Sequence, residues 1–367
     1  MKKKIVISGY YGFKNLGDEA ILHALLQEIR NWEEDLELLV LSGDPGFTSR
    51  THGVAGAHRW PLSRVKEALE NCDIFLTGGG SLLQDKTGFK SIPYYLGLTD
   101  LARRKGARNA LICCGIGPIS RPYLKWFARW QLGKMDFLSV RDSFSRELLQ
   151  EIGVQQEPHL IPDPVFLLPP TDTGGGGDKC FGGELPSPRS RIIIAPRSLP
   201  GAAGLNPDPW IDLCTRLQQE LEGELVLWPL HSGEDRELCG AISSHLQGIT
   251  VMENSYSIPH NLEMLQAADL IIGVRLHALI MGAVAGASLL GISYDPKVKS
   301  LLENLGLSSD LELDNFSPEE VAVRAGKILR GDCEEQEQLP SRVASLGKKS
   351  RQGMQLLRDF VRREPHG

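Results

Sequence analysis

The chain has 367 residues, 41% of them hydrophobic and 23% charged, with a formal net charge of −6. That length exceeds one ordinary core and sets two globular domains as the expectation. The acidic balance argues against a general nucleic-acid binder, which carries a basic excess, and leaves room for a local basic pocket that takes a small anion.

Strand and helix patterns alternate from the start. Three lysines precede Ile5-Val6-Ile7, and the apolar run breaks at Ser8-Gly9. That run is too short for a signal-peptide core, so residues 4–10 read as a first strand. A glycine-containing loop leads to Asp18, a natural N-cap for a helix over residues 19–31. Strands follow at 37–42, 73–77, 109–115, 137–140 and 159–166, the last broken by Pro162 and Pro164. Helices are expected at 63–71, 93–105, 122–134 and 143–152. The strands are dense in Val, Ile and Leu instead of alternating, the pattern of parallel strands covered on both faces.

Composition changes after Leu168. Pro169-Pro170, the run Gly174 to Gly177, Gly182-Gly183, Pro186 and Pro188 leave no apolar period. This reads as a linker over 169–190 between domains 1–168 and 191–339. The glycine run lacks the Lys-Ser/Thr ending of a phosphate loop. Alternation then resumes, with strands at 191–197, 224–230, 250–253, 270–274 and 288–294. Helices are expected at 207–221, up to about 245, 259–267, 278–286, 299–305 and 318–329. A basic amphipathic helix over 340–363 ends the pattern, either as a surface helix or packed back on the first domain. The fold class is therefore α/β, two doubly wound Rossmann-like domains with parallel sheets, and a cleft between two such halves is a common small-molecule site.

Seven cysteines, with no Cys-x-x-Cys pair, predict free thiols in a reducing compartment and no zinc site. The longest uncharged apolar stretch, 278–294, falls short of the roughly 20 residues of a membrane span. The expectation is a cytoplasmic protein with at most peripheral membrane contact. The sequence leaves its oligomeric state open.

The chemistry-bearing residues sit at strand ends, where open α/β sheets bind ligands. The strongest set is Arg275, His277 and Lys297, at the ends of two strands flanking one helix. Arg suits two-point binding of carboxylate or phosphate, Lys adds a point charge, and His exchanges a proton near neutral pH. The bland alternative pairs Arg275 with Asp269 or Asp295 and makes His277 a helix cap. Arg197 and His231 end two further strands as weaker candidates. In the first half, Gly9 to Glu19 forms a loop whose glycines let a ligand approach, and whose Asp18 or Glu19 can accept a proton from a hydroxyl. Both acids equally suit the helix start alone. Gly78-Gly79-Gly80-Ser81 is a ligand-facing turn. Arg141 either binds an anion or pairs with Asp142 or Glu147.

Together these pieces resemble the polysaccharide pyruvyltransferase family, most closely its bacterial CsaB-type members. The residues that carry the resemblance are Gly9-Tyr10-Tyr11-Gly12, Asn15-Leu16-Gly17-Asp18-Glu19-Ala20, Gly78-Gly79-Gly80-Ser81, Val140-Arg141-Asp142-Ser143, Arg275-Leu276-His277 and Ser293-Tyr294-Asp295-Pro296-Lys297. The resemblance implies a glycosyltransferase-B-like fold and transfer of a pyruvyl group from phosphoenolpyruvate to two hydroxyls of one sugar as a cyclic ketal. No cofactor or metal is implied. For CsaB-type members the acceptor is an N-acetylmannosamine-containing, lipid-linked precursor of a cell-wall polysaccharide that later anchors S-layer proteins. It makes Arg141, Arg275, Lys297, Arg197, Gly79 and Gly80 the donor-binding candidates and Tyr11, Asn15, Asp18 and Glu19 the acceptor-side candidates. His277, Asp18 and Lys297 become candidates for proton transfer and phosphate departure. Two rivals remain: a nucleotide-sugar glycosyltransferase of the same architecture and a non-catalytic polysaccharide-binding module.

Overall fold

A computed structural model describes residues 2–169, 190–198 and 205–364, apart from 87, 222 and 254. The expected linker therefore lies almost wholly outside the described residues. The chain divides into two units, residues 1–167 with 346–367, and residues 168–345.

The first unit contains β1 (Lys3–Ser8), α1 (Leu16–Arg30), β2 (Leu36–Ser42), α2 (Pro45–His52), β3 (Ala55–His58), α3 (Leu62–Ala68) and β4 (Ile74–Gly78). It continues with α4 (Ser91–Arg104), β5 (Arg108–Cys114), α5 (Pro122–Leu132), β6 (Phe137–Val140), α6 (Ser143–Glu151) and β7 (His159–Leu160). Its seven strands lie in the order β3-β2-β1-β4-β5-β6-β7, and all pair in parallel. Ile5, Val6 and Ile7 are at most 1% exposed, as a strand covered on both faces requires.

Three expectations change here. The side chain of Asn15, not Asp18, caps α1 by accepting from the Gly17 N–H, so Asp18 and Glu19 fall in the first helical turn, where the positive end of the helix favours acids. The expected strand at 159–166 is only the two-residue β7, followed by a 3₁₀ turn over Pro164–Leu167. Pro162 and Pro164 cannot donate to a ladder, which accounts for the early end. Finally, α2 and β3 carry no apolar period and were not expected. Asp44 caps α2 by accepting from Phe47 N–H, and Gly53 closes it in the left-handed region.

The second unit contains β8 (Arg191–Ala195), α7 (Asp208–Leu221), β9 (Glu224–Leu227), α8 (Glu234–His245), β10 (Ile249–Val251), α9 (Ile258–Gln266) and β11 (Leu270–Gly273). Then follow α10 (Leu276–Ala285), β12 (Ser288–Gly291), α11 (Pro296–Leu305), α12 (Pro318–Leu329), the short α13 (Glu334–Glu337) and the long α14 (Leu339–Arg362). The sheet order is β10-β9-β8-β11-β12, again all parallel. Helix α10 is buried almost all round, from Ala278 to Val284. A Cβ on Gly282 would stand 2.5 Å from Ile271 Cδ1, so only glycine lets α10 lie this close to β11. From Leu346 onward α14 belongs to the first unit. There Arg358 and Arg362 both bond Glu34, and Lys3 Nζ donates to the Val361 carbonyl at 3.0 Å.

The six described cysteines are all free thiols. Among the described residues no helix is long and apolar enough to cross a membrane.

Candidate active site

In each sheet the strand order reverses at one point, between β1 and β4 in the first unit and between β8 and β11 in the second. Ligands of open α/β sheets bind beyond the carboxyl ends of the strands at such a point. Asp18 and the Gly78–Ser81 turn follow the two strands at this point in the first unit, and Arg197 and Arg275 those in the second.

In the first unit the loops after β1 and β4 are tied together. Tyr11 is 1% exposed, and its hydroxyl donates to the Gly78 carbonyl at 2.6 Å. Burial first, then the charge of Asp18, hold its phenol well above its ordinary pKa. Glu19 is wholly buried; Oε1 accepts from Gly12 N–H at 2.9 Å and Oε2 bonds His52 Nε2 at 2.8 Å. These contacts hold the loop. Asn15 caps α1. Asp18 is half-buried and lies against Gly80, where a Cβ would stand 2.8 Å from its Oδ1. Gly79 and Gly80 have φ of 62° and 72°, which favour glycine, and a Cβ on Gly79 would stand 2.1 Å from Ile21 Cγ2. The turn thus lets α1 and its Asp18 approach β4.

Arg141 also belongs to this unit. It is 8% exposed, with Nε 3.4 Å from Asp142, Nη1 3.3 Å from Asp163 and Nη2 2.9 Å from Ser81 Oγ. Burial lowers its pKa, but Asp163 and Asp142 outweigh burial and leave it raised. Of the two partners expected, Asp142 or Glu147, Asp142 is in place, and Asp163 joins it. One guanidinium thus stands between two carboxylates. Gly79 and Gly80 stand beside Ile21 and Asp18 of α1.

Arg59, just beyond β3, was missed. It is 7% exposed, and Nη1 donates to the Gly9 carbonyl at 3.2 Å. Its guanidinium lies 4.4 Å from the ring centre of Tyr94, 5.0 Å from that of Phe13 and 5.4 Å from that of Tyr95. The charges of Arg59 and Asp18 both act on the phenols of Tyr10 and Tyr95, in opposite directions, within a larger upward effect of burial. Polar and aromatic groups converging in this way suit a sugar.

In the second unit Arg197 follows β8, and its guanidinium lies 4.0 Å above the ring of Tyr294, beyond β12. Arg275 follows β11 and makes a two-point ion pair with Asp235, Nε to Oδ2 at 3.1 Å and Nη2 to Oδ1. The bland expectation of Asp269 or Asp295 as its partner fails: Asp269 accepts from the Arg191 N–H, and Asp295 caps α11. Burial lowers the Arg275 pKa, but the charge of Asp235 and then Tyr294 outweigh it and leave it raised. Asp235 is 1% exposed and also accepts from the His231 N–H at 3.1 Å. His231 Nδ1 accepts from the Gly233 N–H at 3.2 Å, which leaves the neutral ring's proton on Nε2. Two of the five N–H groups of Arg275 thus bond Asp235. Lys297 is 9% exposed, with Nζ 3.9 Å from Asp295 Oδ2. His277 stands half-buried in the first turn of α10, whose N-cap Arg275 makes no side-chain cap bond. Among the described residues no group of three or more His, Cys, Asp and Glu could hold a metal ion.

Asp235 and Tyr294 had weak signals. Asp235 sits in the polar run after β9, and Tyr294 lies beside the Asp-Pro-Lys that marks the end of β12.

Solved structures with this architecture are numerous. The S. aureus MnaA–UDP structure is 13% identical with a TM-score of 0.64, covering 98% of this chain and 97% of that one. A glycosyltransferase from Rickettsia africae is 13% identical with a TM-score of 0.64, covering 99% and 100%. UDP-GlcNAc 2-epimerase from Neisseria meningitidis, bound to UDP-GlcNAc, is 11% identical with a TM-score of 0.65, covering 97% and 99%. At these identities the likeness is one of fold, glycosyltransferase-B-like and Rossmann-like in both units. No curated protein matches the chain. The model of the family named polysaccharide pyruvyl transferase matches residues 15–296, from the cap of α1 to the start of α11. With most of its length matched, including Asp18, the Gly78–Ser81 turn, Arg275 and His277, the chain belongs to the polysaccharide pyruvyl transferase family.

Proposed function

We propose that this protein transfers the pyruvyl group of phosphoenolpyruvate to two hydroxyls of one sugar, forming a cyclic ketal and releasing phosphate. The observation that carries the donor is the group of cations at one edge of the second sheet, Arg197, Arg275 and Lys297, with His277 beside them. Phosphoenolpyruvate has a carboxylate and a phosphate, and fixed cations match both.

The reaction balances as follows. A proton adds to the methylene carbon C3, making the methyl group and leaving C2 oxocarbenium-like. One sugar hydroxyl adds to C2 and loses its proton. The bond from C2 to the phosphate oxygen breaks, phosphate departs, and the second hydroxyl closes the ring and gives up the other proton. His277 is the proposed proton donor to C3, and Asp18 the base for a sugar hydroxyl. Lys297 and Arg275 stabilise the departing phosphate. Arg59 and its aromatic neighbours hold the acceptor. Glu19, Asn15 and Tyr11 shape the loop that presents Asp18. No metal or cofactor takes part in this scheme.

The finer reading, CsaB-type action on an N-acetylmannosamine-containing lipid-linked precursor at the inner face of a membrane, rests on the motif resemblance, and six free thiols agree with a reducing compartment. A nucleotide-sugar glycosyltransferase draws some support from the structural relatives, whose names include UDP and UDP-GlcNAc. Incubation of the purified chain with acceptor and either phosphoenolpyruvate or UDP-sugars separates the two. Phosphate release with a mass gain on the acceptor supports the proposal; UDP release with no phosphate release sinks it.

A further inference from the structure

Helix α5 is apolar on two opposite faces. Leu124, Ala128 and Leu132 are at most 1% exposed and pack into the core of the first unit. Tyr123, Trp126 and Trp130 point outward and are 58%, 66% and 43% exposed. Their spacing of three and four residues makes one stripe. The rings of Trp126 and Trp130 stack 6.2 Å apart and only 3° from parallel. Phe89, 52% exposed, lies near the N-terminal end of the stripe, 6.0 Å from the Arg121 guanidinium.

The charges around the stripe are basic in excess, with Lys125 paired to Glu151 at 2.7 Å and Arg121 to the buried Asp85 at 3.5 Å. From Arg121 to Lys134 the sequence carries Arg121, Lys125, Arg129 and Lys134 and no acid, in a chain whose net charge is −6. Lys134 Nζ stands 3.2 Å above the Trp130 ring. Exposed Trp and Tyr flanked by Lys and Arg is the composition that settles at the headgroup level of a bilayer, rings in the interface and cations at the phosphates. A second copy of this chain docked face to face would set these cations against each other.

The helix is also held at a suitable place. Asp85, in the loop beyond the Gly78–Ser81 turn, accepts the N–H groups of Ser120 and Arg121 at 2.9 to 3.0 Å, which pins the start of α5. The stripe therefore begins at the same edge of the first sheet as Asp18 and Gly80.

We propose that the outward face of α5, with Tyr123, Trp126 and Trp130 ringed by Arg121, Lys125, Arg129 and Lys134, docks this enzyme on an anionic lipid bilayer. It adds to the functional reading a surface that would hold the protein where a lipid-linked acceptor is displayed, and it is tested without substrate, so either can fail alone.

The test is co-sedimentation of the full chain with phosphatidylglycerol-containing vesicles and with pure phosphatidylcholine vesicles, together with quenching of tryptophan fluorescence by brominated lipids. Binding to the anionic vesicles, quenching, and release by salt are expected. The double variant W126S/W130S should bind about tenfold more weakly or less, and R129E/K134E should lose the preference for anionic vesicles. Thermal melts of the variants at the wild-type temperature show that the exposed changes leave the fold intact. No sedimentation with anionic vesicles, or equal binding by wild type and W126S/W130S, overturns the proposal. So does a wild-type dimer that becomes a monomer in W126S/W130S without any vesicle binding, which would assign the face to a second copy.

Discussion

Arg275 and Asp235 meet through two parallel hydrogen bonds at the carboxyl edge of the second sheet, although 40 residues separate them in sequence. Asp235 is 1% exposed and holds the His231 N–H as well, so it fixes the orientation of the guanidinium. Asp235→Asn should raise KM for phosphoenolpyruvate about tenfold with kcat changed less than about threefold. Asp235→Ala should also cost about 2–4 kcal/mol of stability, because Arg275 is left without its counter-charge. Steady-state phosphate release and urea unfolding measure both; an unchanged KM in Asp235→Asn would remove Arg275 from donor binding.

His277 and Arg275 are two residues apart and have different proposed tasks. His277→Ala should lower kcat by about 10²–10⁴ while phosphoenolpyruvate binding by calorimetry stays within about threefold. In deuterated water the product's methyl group should carry solvent deuterium. Near-normal turnover in His277→Ala would send the search for the proton donor elsewhere.

Asp18 and Glu19 are adjacent in sequence and have separate proposed roles. Asp18→Asn should cut kcat by about 10² or more with the melting temperature nearly unchanged. Glu19→Ala should instead destabilise the fold by about 2–3 kcal/mol, since it strands the Gly12 N–H and His52. The reverse pattern would overturn both assignments.

Gly79 and Gly80 make a similar contrast. Alanine at 79 puts a methyl 2.1 Å from Ile21, and the expected cost is about 2 kcal/mol or more. Alanine at 80 pushes on the Asp18 carboxylate at 2.8 Å, which can swing aside, so activity should fall further than stability does. Melting curves and kcat of the two variants decide.

His23 gives the pH dependence. Burial first, then the charges of His52 and Arg30, lower its pKa from 6.5 to about 4. Between those values the unfolded chain binds more protons than the folded one, so stability falls as pH falls through that window. The ring is partly exposed, and the discounted contribution is on the order of 1–2 kcal/mol by pH 4. His23→Gln should flatten the decline in urea midpoint between about pH 6.5 and 4 relative to wild type. Equal slopes would show that His23 does not drive it.

Much of this molecule can be read from sequence because its signals are local. Buried parallel strands need unbroken Val, Ile and Leu, and runs such as Ile192-Ile193-Ile194 and Leu270-Ile271-Ile272 carry that need openly. Polar residues that interrupt such runs stand at strand ends, which is what marks Arg275, His277 and Lys297 in the sequence. The edge strand β3 was invisible for the converse reason. Ala55, Gly56, Ala57 and His58 are none of them fully buried, so no apolar period is required, and Arg59 went unnoticed with them.

The sequence by itself determined most of the element order, the two sheets of parallel strands and the strand ends at which the candidate residues sit, since each follows from local apolar density and its interruption; α2 and β3, without an apolar period, it did not. The tertiary structure alone decided which charges meet. Parallel crossovers bring Asp235 to Arg275, Asp163 to Arg141, Tyr294 to Arg197 and His52 to Glu19, over separations that no local pattern encodes. Those pairings tie Arg141 and Glu19 into the loops around them. They hold Arg275 in a two-point pair with Asp235.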